Sequence, residues 1–356
     1  MQLNRETCHL SPTNEVFERN NFINKIVYGD SLYILKNIPD ETVDLIITSP
    51  PYFQQRDYGN GGCGIGNEET EDQYLDNLME IFYASVRVTK KTGAIVFNVG
   101  DKYLNGALAL LPYKFAIRAT ESKEVFLINQ ITWSKLNPTP RQGKRKLIQA
   151  TEPFFIFVRS KDYYFNLDNY LKHLDGLNKK LNSKSSSKLG KKYFKIIENS
   201  KLTNLERQNA KKALEKAILS VQKGEIESFR MKIKGIHKEA YGGMSGGRNN
   251  QIRKNGFTII KILGNALKKD LIESPVEVTK KNRHPAVYPL YIVQELIKLL
   301  SKEGNLILDP FCGSGTTCIA AKKLNRKYLG IEINSEYVKL SEERLKKTDF
   351  QQEFYI

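Results

Sequence analysis

Apolar residues in the first third of the chain come in short unbroken runs, separated by segments with helical spacing. Ile23–Tyr28, Thr42–Thr48, Gly93–Val99, Val125–Trp133 and Pro153–Val158 read as strands. Runs that are apolar throughout, rather than alternating, mark strands covered on both faces. Ser31–Asn37 reads as a short helix, and Asp72–Val88 places Tyr74, Leu75, Leu78, Ile81, Phe82 and Val86 on one side of a longer one. The alternation stops near Phe165 and resumes late. Tyr288–Leu300 is predicted helical, Asn305–Leu308 a strand, Gly315–Leu324 a helix, Lys327–Ile331 a strand and Asn334–Lys346 a helix. The pattern predicts one α/β domain, discontinuous in sequence, built from residues 1–165 and 275–356, with 166–274 inserted.

The insert has another character. Asn182–Lys188 is a polar Ser/Lys tract, Lys201–Lys223 is rich in helix formers, and Tyr241–Gly247 is mostly glycine. Its charge stands out. The chain has 356 residues and a net charge of +17. Between Lys161 and Ile272, 25 Lys and Arg face 10 Asp and Glu, so +15 of that total lies in this stretch. A solvated surface explains any one lysine run, but this concentration points to a polyanion partner. The four cysteines, Cys8, Cys63, Cys312 and Cys318, form no CxxC pair, which with the scattered histidines argues against a structural zinc site. With no apolar signal core near the start and no run long enough to span a bilayer, a reduced cytoplasmic setting is expected.

Two strand exits carry the candidate chemistry. The first is Thr48-Ser-Pro-Pro-Tyr52. Pro50 and Pro51 have no N–H, so they end strand pairing, and Ser49 before them is pushed toward extended backbone. The expected result is a rigid rim with one hydroxyl, acceptor carbonyls and the Tyr52 ring, suited to a flat molecule with an amine on its edge. The second is Asp309-Pro-Phe-Cys-Gly-Ser-Gly-Thr-Thr317, a strand end, a glycine turn and a helix start. Glycines there admit a ligand close to the backbone, and the helix N-terminus offers unpaired N–H groups. Glu332 closes the next strand, the usual place for a carboxylate that meets ribose hydroxyls. Ligands collect at the carboxyl ends of strands in an open α/β sheet, so the two exits are expected to line one cleft.

These motifs resemble a known family. Asp309–Thr317 is similar to the FxGxG motif that binds S-adenosylmethionine in DNA methyltransferases, and Ser49–Tyr52 to the (D/N/S)PP(Y/F) motif of those acting on exocyclic amines. Tyr28–Leu32 resembles the GD-x-L element, Arg283–Pro289 the HPA-x-(F/Y)-P segment, and Ile131–Pro138 and Glu152–Phe157 the middle motifs. The order, catalytic motif first and cofactor motif last, resembles the beta class of amino-methyltransferases.

The resemblance implies a Rossmann-like methyltransferase sheet with a target-recognition region in the basic insert. It implies catalytic roles for Ser49, Pro50, Pro51 and Tyr52. Cofactor contacts are expected from Asp30, His284, Pro285, Asp309, Phe311, Gly313, Ser314, Gly315, Thr316 and Glu332. Asp30 alone reads equally as a helix cap, and Trp133 as core packing. Duplex DNA is the implied partner, with a separate restriction endonuclease as a further one. Arg141, Lys144 and Arg145, beside the expected cleft, and Arg248 and Arg253 in the insert are candidate phosphate contacts. Phe53–Gly66 is expected to be a flap over the cleft.

The chemistry expected is direct transfer to a flipped-out base, its amine held by the Ser49 hydroxyl and the Pro50 carbonyl. In the resembled family serine at this place commonly accompanies cytosine N4 methylation and aspartate adenine N6; adenine stays an alternative. Two other readings are an RNA or protein amino-methyltransferase and a nucleic-acid-binding protein with a degenerate domain. The intact motifs argue against the latter.

Overall fold

The structure is a computed structural model that describes residues 22–55, 64–138, 144–171, 190–223, 226, 228–237, 247–262, 268–276 and 288–348. In chain order the elements begin with β1 (Lys25–Tyr28), α1 (Ser31–Asn37), β2 (Val43–Thr48), α2 (Glu71–Val88) and β3 (Thr89–Asn98). Then come β4 (Tyr103–Leu104), β5 (Ala107–Leu108), α3 (Leu111–Glu121), β6 (Phe126–Lys135) and β7 (Thr151–Val158). The middle holds α4 (Lys191–Glu198), α5 (Asn204–Gln222), β8 (Ser228–Ile233), α6 (Gly247–Asn255) and β9 (Phe257–Ile262). The last part holds β10 (Leu271–Ser274), α7 (Leu290–Leu300), β11 (Leu306–Asp309), α8 (Thr316–Lys323), β12 (Lys327–Glu332) and α9 (Ser335–Lys346).

The chain forms two compact units, Met1–Tyr170 with Lys269–Ile356, and Leu171–Lys268. The first holds an eight-stranded sheet in the order β1-β12-β11-β2-β3-β7-β6-β10. Only β7 runs antiparallel to its neighbours. β11 and β2 lie side by side and parallel, with Ile307 opposite Leu45 and Leu308 opposite Ile46, so the two motif-bearing strands end at the same edge.

Local sequence sets the elements that shape this edge. The α2 start is fixed by a capping box in which Thr70 and Gln73 satisfy each other's backbone N–H groups. Its apolar face then packs on the sheet. The Phe82 ring lies 5.5, 5.4 and 5.1 Å from those of Phe97, Phe115 and Phe157, edge-on to each, joining α2, β3, α3 and β7. Removing a buried ring of this kind typically costs about 3–5 kcal/mol.

The second unit packs α4 and α5 against the antiparallel pair β8–β9 around Ile197, Leu214, Phe229, Met231 and Ile233. Thr203 and Glu206 form a capping box that starts α5 at Asn204.

Three features depart from the sequence expectation. Leu271–Ser274, assigned to the insert, pairs with β6 and belongs to the large sheet. It is only four residues long and follows Lys268-Lys269-Asp270, so its apolar pattern is too short to stand out. The α3 helix and the β4–β5 hairpin were not expected. Pro112 sits within the first turn of α3, a position where a missing N–H costs nothing. Among the described residues, no helix is long and apolar enough to cross a membrane.

Candidate active site

One cleft of the first unit is lined by Asp30, Ser31, Ser49–Tyr52, Gly64, Ile65, Tyr288, Phe311–Ser314, Thr316, Glu332 and Tyr337. Both strand exits therefore meet on one wall. Thr48 ties them together from behind: its hydroxyl donates to Asp309 Oδ1 at 2.6 Å.

The cofactor-side turn is held by buried carboxylates. Asp309 also accepts from Phe311 N at 3.0 Å and from the Tyr288 hydroxyl at 3.1 Å. Burial raises its carboxyl above the ordinary range, against the pull of these donors. Asp309 is thus an organiser behind the cleft, not part of its lining. Gly315 likewise stands behind the wall. Its φ is +86°, and a Cβ there would lie 2.9 Å from Ser341 Cβ on α9. The glycine is required by helix packing and a left-handed backbone, rather than by ligand approach.

Glu332 does face the cleft, 8% exposed. Oε2 accepts from Gly313 N at 2.7 Å and Oε1 from Asn334 N at 2.8 Å. Burial pushes its carboxyl up to about 7, although those two N–H groups favour the ionised form. Asp30 is a helix cap that also faces the cleft. Its Oδ1 caps α1 by accepting from Tyr33 N at 3.0 Å, and it lines the cleft. Arg344 on α9 holds the Ser314 carbonyl and donates to the Ser314 hydroxyl at 2.8 Å. The Cys312 thiol is raised well above its ordinary value by its contact with Cys318 and by burial, so it is no thiolate nucleophile at neutral pH.

Strand β2 ends at Thr48, just before the two prolines, and the rim formed by Ser49–Tyr52 is braced by side chains around it. Tyr74 on α2 donates its hydroxyl to Pro51 O at 3.0 Å. The Tyr52 ring lies close over Gly100, where a Cβ would come within 2.4 Å of Cδ2 and Cε2. The Tyr52 hydroxyl is 2.8 Å from Asn98 Oδ1 and 2.9 Å from Glu152 Oε2. Ser49 Oγ lies 3.2 Å from that hydroxyl and 3.3 Å from Asn98 Oδ1. Asn98 and Glu152 were assigned no role from sequence. The available signal was an asparagine ending the fully apolar run Ala94–Phe97 and a glutamate inside a strand.

Other expected site residues scatter. Lys144, Arg145, Arg248 and Arg253 are exposed, the last two on α6 of the second unit. His284, Pro285 and Arg141 lie outside the described residues, as does most of Phe53–Gly66; what is described of that loop closes on itself through Gln54 N to Gly66 O at 2.7 Å. Trp133 is buried, and its Nε1 donates to Ser274 O at 3.0 Å.

S-adenosylmethionine fits this donor set. The cleft presents a buried carboxylate, Glu332, suited to ribose hydroxyls. It also presents the Thr316 hydroxyl at the start of α8, a buried oxygen with no hydrogen-bond partner in the protein. A cleft with these groups at the carboxyl ends of parallel strands defines a nucleoside-binding α/β fold. The comparisons with known proteins make this specific: residues 43–343 match the DNA methylase family of N6 and N4 methyltransferases, and the chain belongs to it. That family is S-adenosylmethionine-dependent.

The type II methyltransferase M.SmaI of Serratia marcescens is 24% identical over 362 residues, 94% of each chain. The DNA adenine methyltransferase YhdJ of Escherichia coli (strain K12) is 26% identical over 90% of this chain and 82% of its own. Among solved structures, the PvuII DNA methyltransferase (cytosine-N4-specific) covers 93% of this chain and 87% of its own at 17% identity and a TM-score of 0.56. TTHA0409 of Thermus thermophilus, solved with S-adenosyl-L-methionine, covers 91% and 93% at 19% identity and a TM-score of 0.51. At such identities the structural likeness is one of fold.

Proposed function

We propose that this DNA amino-methyltransferase methylates the exocyclic N4 of a cytosine flipped out of duplex DNA. The observation that carries the reading is the Ser49 hydroxyl, a neutral acceptor on the same wall as Glu332 and Thr316. The amine of cytosine is a poor nucleophile, because its lone pair is delocalised into the ring. Ser49 Oγ and the Pro50 carbonyl accept its hydrogens, orient it and favour tetrahedral geometry, and positioning supplies much of the rate. The Tyr52 ring stacks on the base. Glu332 and the Thr316 hydroxyl, with Asp30, Phe311, Gly313 and Ser314 around them, hold S-adenosylmethionine. When bound, that cofactor supplies an electrophilic methyl group on a sulfonium.

The basic second unit, Leu171–Lys268, is read as the target-recognition part, with Arg248 and Arg253 contacting phosphates there and Arg141, Lys144 and Arg145 doing so from the first unit. The +15 charge between Lys161 and Ile272 predicts DNA binding that weakens steeply with salt. The type II name of M.SmaI suggests a restriction–modification setting, with a separate endonuclease as companion.

The test is nucleoside mass spectrometry of genomic DNA treated with the protein and S-adenosylmethionine. N4-methylcytosine is expected. N6-methyladenine would overturn the base assignment, and unmodified DNA the whole reading.

A further inference from the structure

Around the Ser49 hydroxyl lies a network of side chains that the transfer chemistry above leaves unused. Asn98 Nδ2 donates to Pro153 O at 3.0 Å, which turns the amide oxygen toward the Ser49 and Tyr52 hydroxyls. Glu152 Oε2 lies 2.9 Å from the Tyr52 hydroxyl, and its other oxygen is paired with the Lys135 ammonium. The two side chains are 15% and 17% exposed, so the pair is sheltered but reaches water. Both groups accept hydrogen bonds, but a carboxylate is a far stronger base than an amide oxygen and is the one of the two that can be protonated. Glu152 is therefore the proton sink of this network.

The geometry points to a relay, from Ser49 Oγ through the Tyr52 hydroxyl to the Glu152 carboxylate, by which the methylated amine loses its extra proton. Asn98 is the positioning residue that holds both hydroxyls, and Lys135, paired with the other carboxylate oxygen, orients Glu152. This rests on the proposal that Ser49 receives the amine.

The balance closes. The new nitrogen–carbon bond replaces a carbon–sulfur bond whose electron pair stays on sulfur. The nitrogen then carries a positive charge and one hydrogen in excess. That proton passes to Ser49 Oγ as the serine proton passes to the Tyr52 oxygen and the tyrosine proton to Glu152 Oε2. Serine and tyrosine end as they began. Glu152 ends neutral and returns its proton to water along its exposed edge. Before the proton moves, the carboxylate charge at the far end already stabilises the cation developing on nitrogen, so the relay acts on the transfer step as well as after it.

The test uses the full-length protein, S-adenosylmethionine and unmethylated genomic DNA in single-turnover methyl transfer. Tyr52→Phe and Glu152→Gln should each slow transfer by about 10- to 100-fold. Members of one chain fail together, so the double variant should be no slower than the slower single. Cofactor affinity should stay unchanged in all three. Tyr52→Phe keeps the Glu152–Lys135 pair, which guards against a folding effect confined to Glu152→Gln.

A second readout needs no turnover. In cofactor-free protein labelled with carbon-13 at tyrosine Cζ, the Tyr52 signal, identified by its loss in Tyr52→Phe, should shift as Glu152 titrates. It should stay fixed in Glu152→Gln. Lys135 and Tyr52 are ionisable side chains in direct contact with Glu152. Full-rate transfer by Tyr52→Phe, losses that multiply in the double variant, or a Tyr52 signal indifferent to Glu152 would each overturn the relay while leaving the methyl-transfer reading intact. No transfer by the unsubstituted protein would overturn both.

Discussion

Thr48–Tyr52 and Asp309–Gly315 leave neighbouring parallel strands at one edge of the sheet, yet their polar groups are satisfied in opposite ways. On the Asp309 side the acceptors are carboxylates: Glu332 is met by the backbone N–H groups of Gly313 and Asn334, and Asp309 by the Phe311 N–H together with the Thr48 and Tyr288 hydroxyls. Backbone amides hold their protons at neutral pH, so this turn is a fixed cradle. On the Ser49 side the partners are other side chains, the hydroxyls of Ser49 and Tyr52, the Asn98 amide and the Glu152 carboxylate. Hydroxyls both donate and accept, so this turn can move protons. One exit shapes a ligand and the other handles charge, although both are strand ends broken by proline or glycine.

The largest effect should come from the backbone of the cradle. Gly315→Val places a branched side chain at φ +86° and into Ser341, and it should destabilise the cofactor-free protein by roughly 3 kcal/mol. Thermal unfolding measures this. An unchanged melting temperature with lost cofactor affinity would return Gly315 to the cleft wall and break the contrast.

Next comes the proton-handling side. Gly100→Ala puts a methyl where the Tyr52 ring lies, so transfer should slow by about 100-fold through misplacement, with cofactor affinity retained. Quench-flow transfer rates beside calorimetric affinities separate the two.

Glu332→Gln should weaken S-adenosylmethionine binding by about tenfold, the loss of a charge-assisted hydrogen bond. The wild-type carboxyl, raised to about 7, also makes a pH prediction. The folded protein holds this proton more tightly than the unfolded chain, whose carboxyl sits near 4.5. Stability from this group is therefore full below that value and declines as pH rises toward 7. Ribose hydroxyls donate to the ionised form, so cofactor binding at pH 6 should release a proton and tighten as pH rises. Calorimetry in two buffers of different ionisation enthalpy counts that proton; Glu332→Gln should release none.

The smallest effect is expected at Arg344→Met, which removes the donors to Ser314 O and Oγ. Cofactor affinity should fall about threefold, within the range of one ordinary hydrogen bond. A hundredfold loss would mean that the cradle depends on α9 far more than its backbone contacts indicate.

Much of the sheet was legible, because β2, β3, β7, β11 and β12 are apolar runs with turn residues at their ends. The boundaries of α1 come out as the sequence predicts, with Asp30 as its cap. The two motifs were legible because proline and glycine mark strand exits. The Ser49–Tyr52–Asn98–Glu152 network was not. It depends on β3 and β7 pairing antiparallel so that Asn98 stands opposite Phe154, and no local pattern encodes a register between segments so far apart. For Gly315, local sequence announces a tight turn but not which neighbour fills the space beside it. β10 was missed because four residues are too few for periodicity to register.

The hydrogen bond from Thr48 to Asp309 spans 261 positions of the chain. Its consequence lies in biosynthesis. During synthesis the Ser49 rim emerges early but has no β11 to lie against, while Leu171–Lys268 carries its own core and is complete sooner. Long-range pairing of this kind closes late and slowly. Ribosome-bound chains halted before Leu306 should therefore show protease protection around Leu214 and Met231 and none across β2. A nascent chain whose second unit is already folded would then still lack the assembled cleft.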